Sequence, residues 1–351
     1  QKLASLCYKK LNMSKKNSNV ILKKVFKESN QLSEIFYNFK NKLNSLRAKS
    51  YLVAISGGPD SLALASLCSA YNYYYRCTFY YVLINHNIRK NSLKEAKKVK
   101  ILLKKKKINL TVLSNQVQIK KNIQSTARKI RYKMLLEYCK KKGIKKILTA
   151  HNLEDQVETF LIRLSRGSGL TGLSAMKPLT SLNPNVKLYR PLLDTKKKFL
   201  VEISKKTFGN FIKDPSNKNK KFLRTKIRSL KIPLKKSGIN YDQIINSINN
   251  LASSKETLDS LLIKATKETT KKLKDKILIN TSKFNDYNKE FKLRLINQSI
   301  KTIKKNYYNP RSKKVLRLIE MLGRPNFKKY TLGGCIFLRE KDQICVKSEK
   351  K

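Results

Sequence analysis

The sequence predicts an α/β protein whose parallel sheet carries helices on both faces, in the Rossmann-like manner, followed by a mainly helical domain and a small C-terminal β-hairpin module. Three observations predict it. Between positions 50 and 165, short apolar runs alternate with longer stretches of helical apolar spacing, the order that parallel strands joined by crossover helices produce. From about 221 to 305 strand-like runs fade and Lys-rich helical patterns dominate. Near the C-terminus, Thr331 to Leu338 and Gln343 to Lys347 flank the turn residues Arg339 to Asp342, which fits two strands of a hairpin.

Taken in order, Val25, Leu32, Ile35, Phe36, Phe39 and Leu43 recur at helical spacing and give a leading amphipathic helix within 20–47. Strands are expected at 51–55, 78–84, 109–113 and 146–149, and helices at 60–71, 92–106, 123–142 and 153–164. The Arg190-Pro191 step and the turn Asp214-Pro215-Ser216-Asn217 then close the alternating region. The expected domains are an extension with the leading helix (1–48), a catalytic domain (49–215), a helical nucleic-acid-binding domain (216–310) and the small module (311–351).

Composition narrows the partners. Lys and Arg number 80 against 22 Asp and Glu, a formal charge of +58 that attracts polyanions at long range. Drift is an equally weighted cause: Lys, Asn, Ile and Tyr are all abundant, as in proteins encoded by AT-rich genomes. No uninterrupted apolar run is long enough to span a bilayer, so no membrane association is expected and a cytoplasmic location is. The six cysteines form no C-x-x-C pair, which argues against a zinc knuckle, a cluster or a disulfide framework. Position 1 is Gln and Met13 precedes a polar stretch, so the first dozen residues are read as lying upstream of the start and carry no functional reading.

In a parallel α/β sheet, ligands bind beyond the carboxyl ends of the strands, and the polar constellations fall there. Ser56-Gly57-Gly58-Pro59-Asp60-Ser61 follows a strand and opens a helix, so its backbone N–H groups and helix dipole suit a polyphosphate. Asp60 would repel a phosphate unless a cation such as Mg²⁺ bridged them. A plain Gly-Pro turn with a helix-start Asp is the bland reading of the same six residues. Arg128 and Arg131, three apart on one helix, form either a clamp for an α-phosphate or carboxylate or a solvated basic face. His151 precedes a helix that carries Asp155, Glu158 and Thr159 on one face. There the histidine suits nucleotide contact or proton transfer, and the acids suit an amine or a metal, unless they only stabilise the helix start. Arg163 to Leu173 adds flexible glycines with Arg163 and Arg166, either a lid over a nucleotide or an ordinary helix end.

The hexapeptide resembles the SGGxDS signature of the N-type ATP pyrophosphatases, or PP-loop enzymes, which cleave ATP between its α- and β-phosphates, adenylylate an oxygen and let a nucleophile displace AMP. With Ala127-Arg128-Lys129-Ile130-Arg131-Tyr132, His151 to Thr159 and the Arg166-Gly167-Ser168-Gly169 loop, it resembles the tRNA(Ile)-lysidine synthase family over roughly residues 50 to 230. Arg190-Pro191-Leu192-Leu193 and Arg224 to Arg228 match further. Two positions depart from the family pattern: Glu154 stands for Asp, and Asn85 stands where Asp is common in D-H-x-L-R.

The resemblance implies a ligase that uses ATP and Mg²⁺ to join L-lysine to C2 of the wobble cytidine in the CAU anticodon of tRNA(Ile). It implies nucleotide binding by Ser56, Gly57, Gly58, Pro59, Asp60 and Ser61, with Asp60 also the metal ligand. Catalytic roles fall to Asp60, Arg128, Arg131, His151, Asp155 and Glu158, and tRNA contacts to Arg166, Arg224 and Arg228. No stable protein partner is implied, and a homodimer is left open. The rival readings are a PP-loop tRNA thiolase and a non-catalytic RNA-binding protein.

Overall fold

The computed structural model describes residues 24–88, 91–117, 119, 122–212, 223–304, 310–324 and 326–349. The turn at Asp214 to Asn217, where the first domain boundary is expected, lies outside them. The chain divides into two compact units, residues 1–249 and 250–351. The division falls inside one long helix, Tyr241–Thr269.

The first unit opens with α1 (Asn30–Ser45), capped by Ser29, whose hydroxyl accepts from Leu32 N at 3.2 Å. Then β1 (Ser50–Ile55), α2 (Pro59–Tyr74), β2 (Thr78–Asn85), α3 (Ser92–Lys104), β3 (Leu110–Ser114), α4 (Ile123–Lys142), β4 (Lys146–Leu148) and α5 (Leu153–Leu164) alternate as expected. A one-turn α6 (Leu170–Leu173), β5 (Leu179–Ser181), β6 (Lys187–Tyr189), α7 (Lys197–Phe208), α8 (Leu223–Ser229) and α9 (Lys231–Lys236) follow, before α10 (Tyr241–Thr269). The sheet order is β3-β2-β1-β4-β6-β5, parallel except for the final β5–β6 pair. Both α4 and α5 have the expected bounds, because each is fixed locally. Gly143 ends α4 in the left-handed region at φ 66°, and Asn152 with Asp155 forms a capping box at the start of α5.

Strand β1 is central, with Tyr51, Leu52 and Val53 fully buried, so the loop at its carboxyl end is held by the most shielded backbone of the sheet. The helix after that loop, α2, is buried from Ser61 through Tyr71. Its small residues Ala63, Ser66 and Ala70 allow α7 to approach closely, and the buried Ser66 hydroxyl meets that of Thr207 at 2.9 Å.

The second unit departs from the expected pattern. Its strands β7 (Thr270–Lys272) and β8 (Lys276–Asn280), helices α11 (Thr281–Asp286), α12 (Lys289–Lys304) and α13 (Ser312–Leu322), and strands β9 (Lys329–Leu332), β10 (Cys335–Glu340) and β11 (Gln343–Ser348) build an antiparallel sheet of order β7-β8-β11-β10-β9. The hairpin is present as β10 and β11, but it lies inside this larger sheet: β11 pairs with β8, from the region read as helical. Lys271, Lys272, Lys274 and Lys276 masked that strand pair, and the buried positions are only Ile277 and Ile279, too few to mark a strand against the lysine background. Around them Phe284, Leu295, Ile296, Val315, Leu318 and Phe337 form a separate core.

Candidate active site

The phosphate loop is built as its residues require. Gly57 sits at φ +83°, and a Cβ there would come within 2.5 Å of the Val99 side chain, so glycine is demanded twice, by conformation and by space. The Gly57 carbonyl accepts from Ile212 N at 3.0 Å, and Pro59 occupies the first turn of α2 with Gly58 as its N-cap. Inside the loop, Ser61 Oγ donates to the Gly58 carbonyl at 2.9 Å and accepts from Ser56 N at 3.2 Å. The Ser56 hydroxyl lies 3.2 Å from that of Ser61.

Asp60 follows, with its side chain one quarter exposed and Oδ1 buried without a hydrogen-bond partner among the described residues. Its Oδ2 lies 3.7 Å from Lys197 Nζ. Burial pushes the carboxyl up to about 6 against the pull of that ammonium, and the nearby charge of Asp155 adds to the rise.

The second constellation sits at the start of α5, after β4, the strand beside β1. Glu158 is 5% exposed and accepts from Arg224 Nε and Arg228 Nε, each at 2.6 Å. Asp155 Oδ1 accepts from the Arg224 guanidinium at 3.0 Å, and its Oδ2 accepts from Asn152 N at 3.1 Å. Glu154 accepts from the Lys197 backbone at 2.8 Å and lies 3.4 Å from Lys231 Nζ. The arginines expected to reach outward for RNA and the acids expected to await an amine therefore hold each other. Helix α8 is pinned to α5 by this lattice.

His151 has Thr149 Oγ1 3.0 Å from its Nδ1. Burial and then the positive field of Arg190, Arg224, Arg128 and Arg131 push its pKa down to about 3. Such a ring is neutral at physiological pH, the form that donates from one nitrogen and accepts at the other. Arg128 and Arg131 of α4 contribute the weakest part of that field. Arg128 also lies over the Tyr132 ring at 5.0 Å.

Other expected residues stand elsewhere. Arg163 donates to the carbonyls of Gly172 and Ala175 at 2.6 and 2.9 Å, tying down the glycine-rich loop from within. Arg166 is exposed just beyond the C-terminal end of α5, about 12 Å from Glu158 and about 16 Å from Asp155 along that helix at 1.5 Å per residue. The structure does not bring it to the other site residues.

Several site residues escaped the sequence reading. Lys197 stands in the run Lys196 to Lys198, where nothing distinguishes it from a surface lysine. Arg190 is buried and donates to the Lys177 carbonyl and Thr180 Oγ1 at 2.7 and 2.9 Å. His86 follows β2, the other neighbour of β1, with both ring nitrogens buried and unpaired among the described residues. Burial and Arg131 push its pKa down to about 4. Three asparagines hold this turn: Asn85 Nδ2 donates to Asn87 Oδ1 at 2.7 Å, Asn87 Nδ2 to the Asn115 carbonyl at 2.7 Å, and Asn115 Nδ2 to the Val117 carbonyl at 2.6 Å. Position 85 therefore has a local reason to be Asn, because an ionised Asp could not donate to Asn87. Arg89, in the same segment, lies outside the described residues.

Phosphate loop, acid helix and arginine-bearing helix meet at the carboxyl ends of β1, β4 and β2, the arrangement of a nucleotide-dependent α/β enzyme. Residues 31–234 match the PP-loop domain, and the chain belongs to that family of ATP-utilising proteins. Within it, the chain is 33% identical over 311 residues to the tRNA(Ile)-lysidine synthase of Wolbachia sp. subsp. Brugia malayi, covering 84% of this chain and 69% of the relative. It is 32% identical over 319 residues to the synthase of Wolbachia pipientis wMel, covering 88% and 73%. It is a member of the tRNA(Ile)-lysidine synthase family. Among solved structures, the U34-tRNA thiolase NcsA from Methanococcus maripaludis shares the fold, with a TM-score of 0.54 at 17% identity over 63% of this chain and 78% of that one.

Proposed function

We propose that this protein joins L-lysine to C2 of the wobble cytidine in a CAU-anticodon tRNA(Ile), at the expense of ATP. Family membership supports the reaction. The observation that carries it to this chain is the gathering of Ser56–Ser61 with the acids of α5 and the arginines of α8 at the carboxyl ends of the central strands, where Lys197 meets both Asp60 and Glu154. ATP lies with its phosphates on the loop, whose N–H groups, two serine hydroxyls and helix dipole offset their charge. The cytidine O2 attacks the α-phosphorus and pyrophosphate departs, and a lysine amine then attacks C2 and expels AMP with O2.

Residues of this chain supply positioning and charge. Arg128 and Arg131, in the field that also reaches His151, stabilise negative charge growing on the α-phosphate. His151, kept neutral, holds a substrate group by hydrogen bonding. Asp155 and Glu158 receive the lysine ammonium, and Arg224 and Arg228 hold both acids aligned until it arrives. The two guanidinium side chains, 41% and 32% exposed, add positive charge where the RNA approaches.

Asp60 fits Mg²⁺. Its Oδ1 is buried and unpaired, and among the described residues no group of three His, Cys, Asp or Glu makes an all-protein cage. One carboxylate completed by phosphate oxygens and water is the usual magnesium donor set. When bound, the ion neutralises charge on the leaving pyrophosphate.

The deciding experiment incubates purified protein with labelled lysine, ATP and an unmodified CAU-anticodon tRNA(Ile) transcript. ATP-dependent label in the RNA, with one AMP and one pyrophosphate per lysine, is expected. Labelled RNA without ATP, or AMP release without lysine transfer, would sink the proposal.

A further inference from the structure

Helix α1 carries two faces. Leu32, Phe39 and Leu43 go into the core, while Ser33, Phe36, Tyr37 and Lys40, spaced i, i+3, i+4 and i+7, line a second stripe. With Phe26, Lys27, Ala70 and Tyr74 that stripe walls a cavity of about 290 Å³. The aromatic walls are ordered: Phe26 stacks on Phe36 at 5.1 Å between centroids, and Phe36 meets Tyr74 at 5.8 Å. Tyr37 is 57% exposed at the mouth, with Lys40 Nζ 4.8 Å from its ring centre.

Both charged groups of the lining are ammoniums and no carboxylate joins them. The neighbouring Glu28 is turned to Lys206 at 2.9 Å. A planar aromatic group bearing negative charge complements such walls. The volume is at the lower end of pockets for small ligands, roughly 300–1,000 Å³, and holds one nucleoside but no folded partner. Tyr74 is fifteen residues beyond Pro59 on α2, about 22 Å at 1.5 Å per residue, so a nucleotide on the phosphate loop does not reach it. A polymer does.

We propose that this aromatic and lysine pocket between α1 and the end of α2 is a second nucleic-acid contact, which takes one unpaired base of a bound RNA against the exposed Tyr37 ring while Lys27 and Lys40 meet its phosphates. The inference rests on the RNA substrate proposed above, and it adds a site remote from the chemistry. Base stacking on aromatic side chains with cations beside them is how single strands are held without sequence readout.

The test uses the full chain and two labelled RNAs, an unmodified tRNA(Ile) transcript and a single-stranded oligouridylate, with binding followed by anisotropy across a salt series. Tyr37→Ala is expected to weaken oligouridylate binding by roughly 5- to 150-fold, the loss of one stacked base. Tyr37→Phe, which keeps the ring, should restore it. The pair Lys27→Glu with Lys40→Glu should lower the salt slope by about 0.7 for each lost phosphate contact. Melting midpoints confirm folding, and ATP binding should be unchanged in all three variants. Wild-type RNA affinity in folded Tyr37→Ala would overturn the proposal. So would displacement of the oligonucleotide by free uridine monophosphate with equal affinity per site, which would make the pocket a mononucleotide site. Lysine transfer is scored separately: its absence with RNA binding at Tyr37 intact sinks the reaction and leaves this pocket standing.

Discussion

Glu158→Gln is the sharpest test of the lattice between α5 and α8. The carboxylate is 5% exposed and accepts from Arg224 and Arg228 at 2.6 Å each. Hydrogen bonds to charged groups are worth about 1.5–3 kcal/mol apiece, so two give about 3–6 kcal/mol at face value. The guanidinium side chains are 41% and 32% exposed and can turn partly to water, which halves that figure to about 1.5–3 kcal/mol. Asp155 still holds Arg224 at 3.0 Å, so α8 loosens without detaching. For a unit of this size the loss corresponds to a midpoint roughly 3–12 °C lower. Urea unfolding and calorimetry of the full chain measure it. A double-mutant cycle with Arg228→Met isolates the pair, and a coupling of at least about 0.5 kcal/mol is expected. A Glu158→Gln protein within about 0.5 kcal/mol of wild type, with no coupling to Arg228, would show that the contacts are incidental and refute the reasoning.

Asp60→Asn should abolish AMP formation while leaving the midpoint unchanged or slightly raised, since burial already disfavours the charged form; AMP release at the wild-type rate would displace Asp60 from the nucleotide site. His151 is expected to shape acid stability. Its folded pKa of about 3 lies below the ordinary value near 6.5, so between them the unfolded chain binds more protons; the neutral ring's contribution is intact above about pH 6.5 and is lost as pH falls toward 3. His151→Gln should flatten that acid limb in melting curves from pH 7.5 to 4, and superimposable limbs would contradict the buried neutral ring. A variant with Ala or Ser at all six cysteines should keep lysine transfer when assayed cold, because burial pushes up the thiols of Cys68, Cys77, Cys139, Cys335 and Cys345 and none of these five stands among the site residues. Folded protein that binds ATP and tRNA but transfers nothing would restore the thiolase reading.

The first unit was legible wherever local chemistry and pattern agreed. Gly143 and the Asn152–Asp155 box mark helix ends in a few residues, so α4 and α5 could be bounded to the residue. Likewise Ser56 to Ser61 declares a strand-loop-helix junction through a glycine that its position demands. Contacts distant in sequence were not legible. That Glu158 would spend its oxygens on Arg224 and Arg228, some seventy residues on, follows from the packing of α8, and no periodicity encodes it. Lys197 was hidden for another reason, since one lysine among three in a row differs from its neighbours only by where Asp60 lies. In the second unit the strands β7 and β8 were lost because lysines at their exposed positions mimic a basic helix.

The burial of α2 has a bearing on how such a chain changes over generations. Its sixteen residues contain no lysine or arginine, in a protein that has 80, whereas the thirteen of α3, which bury only one face, contain five lysines. Mutation toward lysine is absorbed where a side chain reaches water and is refused where the ammonium would have to enter the core. The helix that follows the Ser56–Ser61 loop is thus closed to basic residues by the cost of dehydration along its length. Lineages under the same mutational pressure should keep α2 free of basic residues even as their surfaces turn basic.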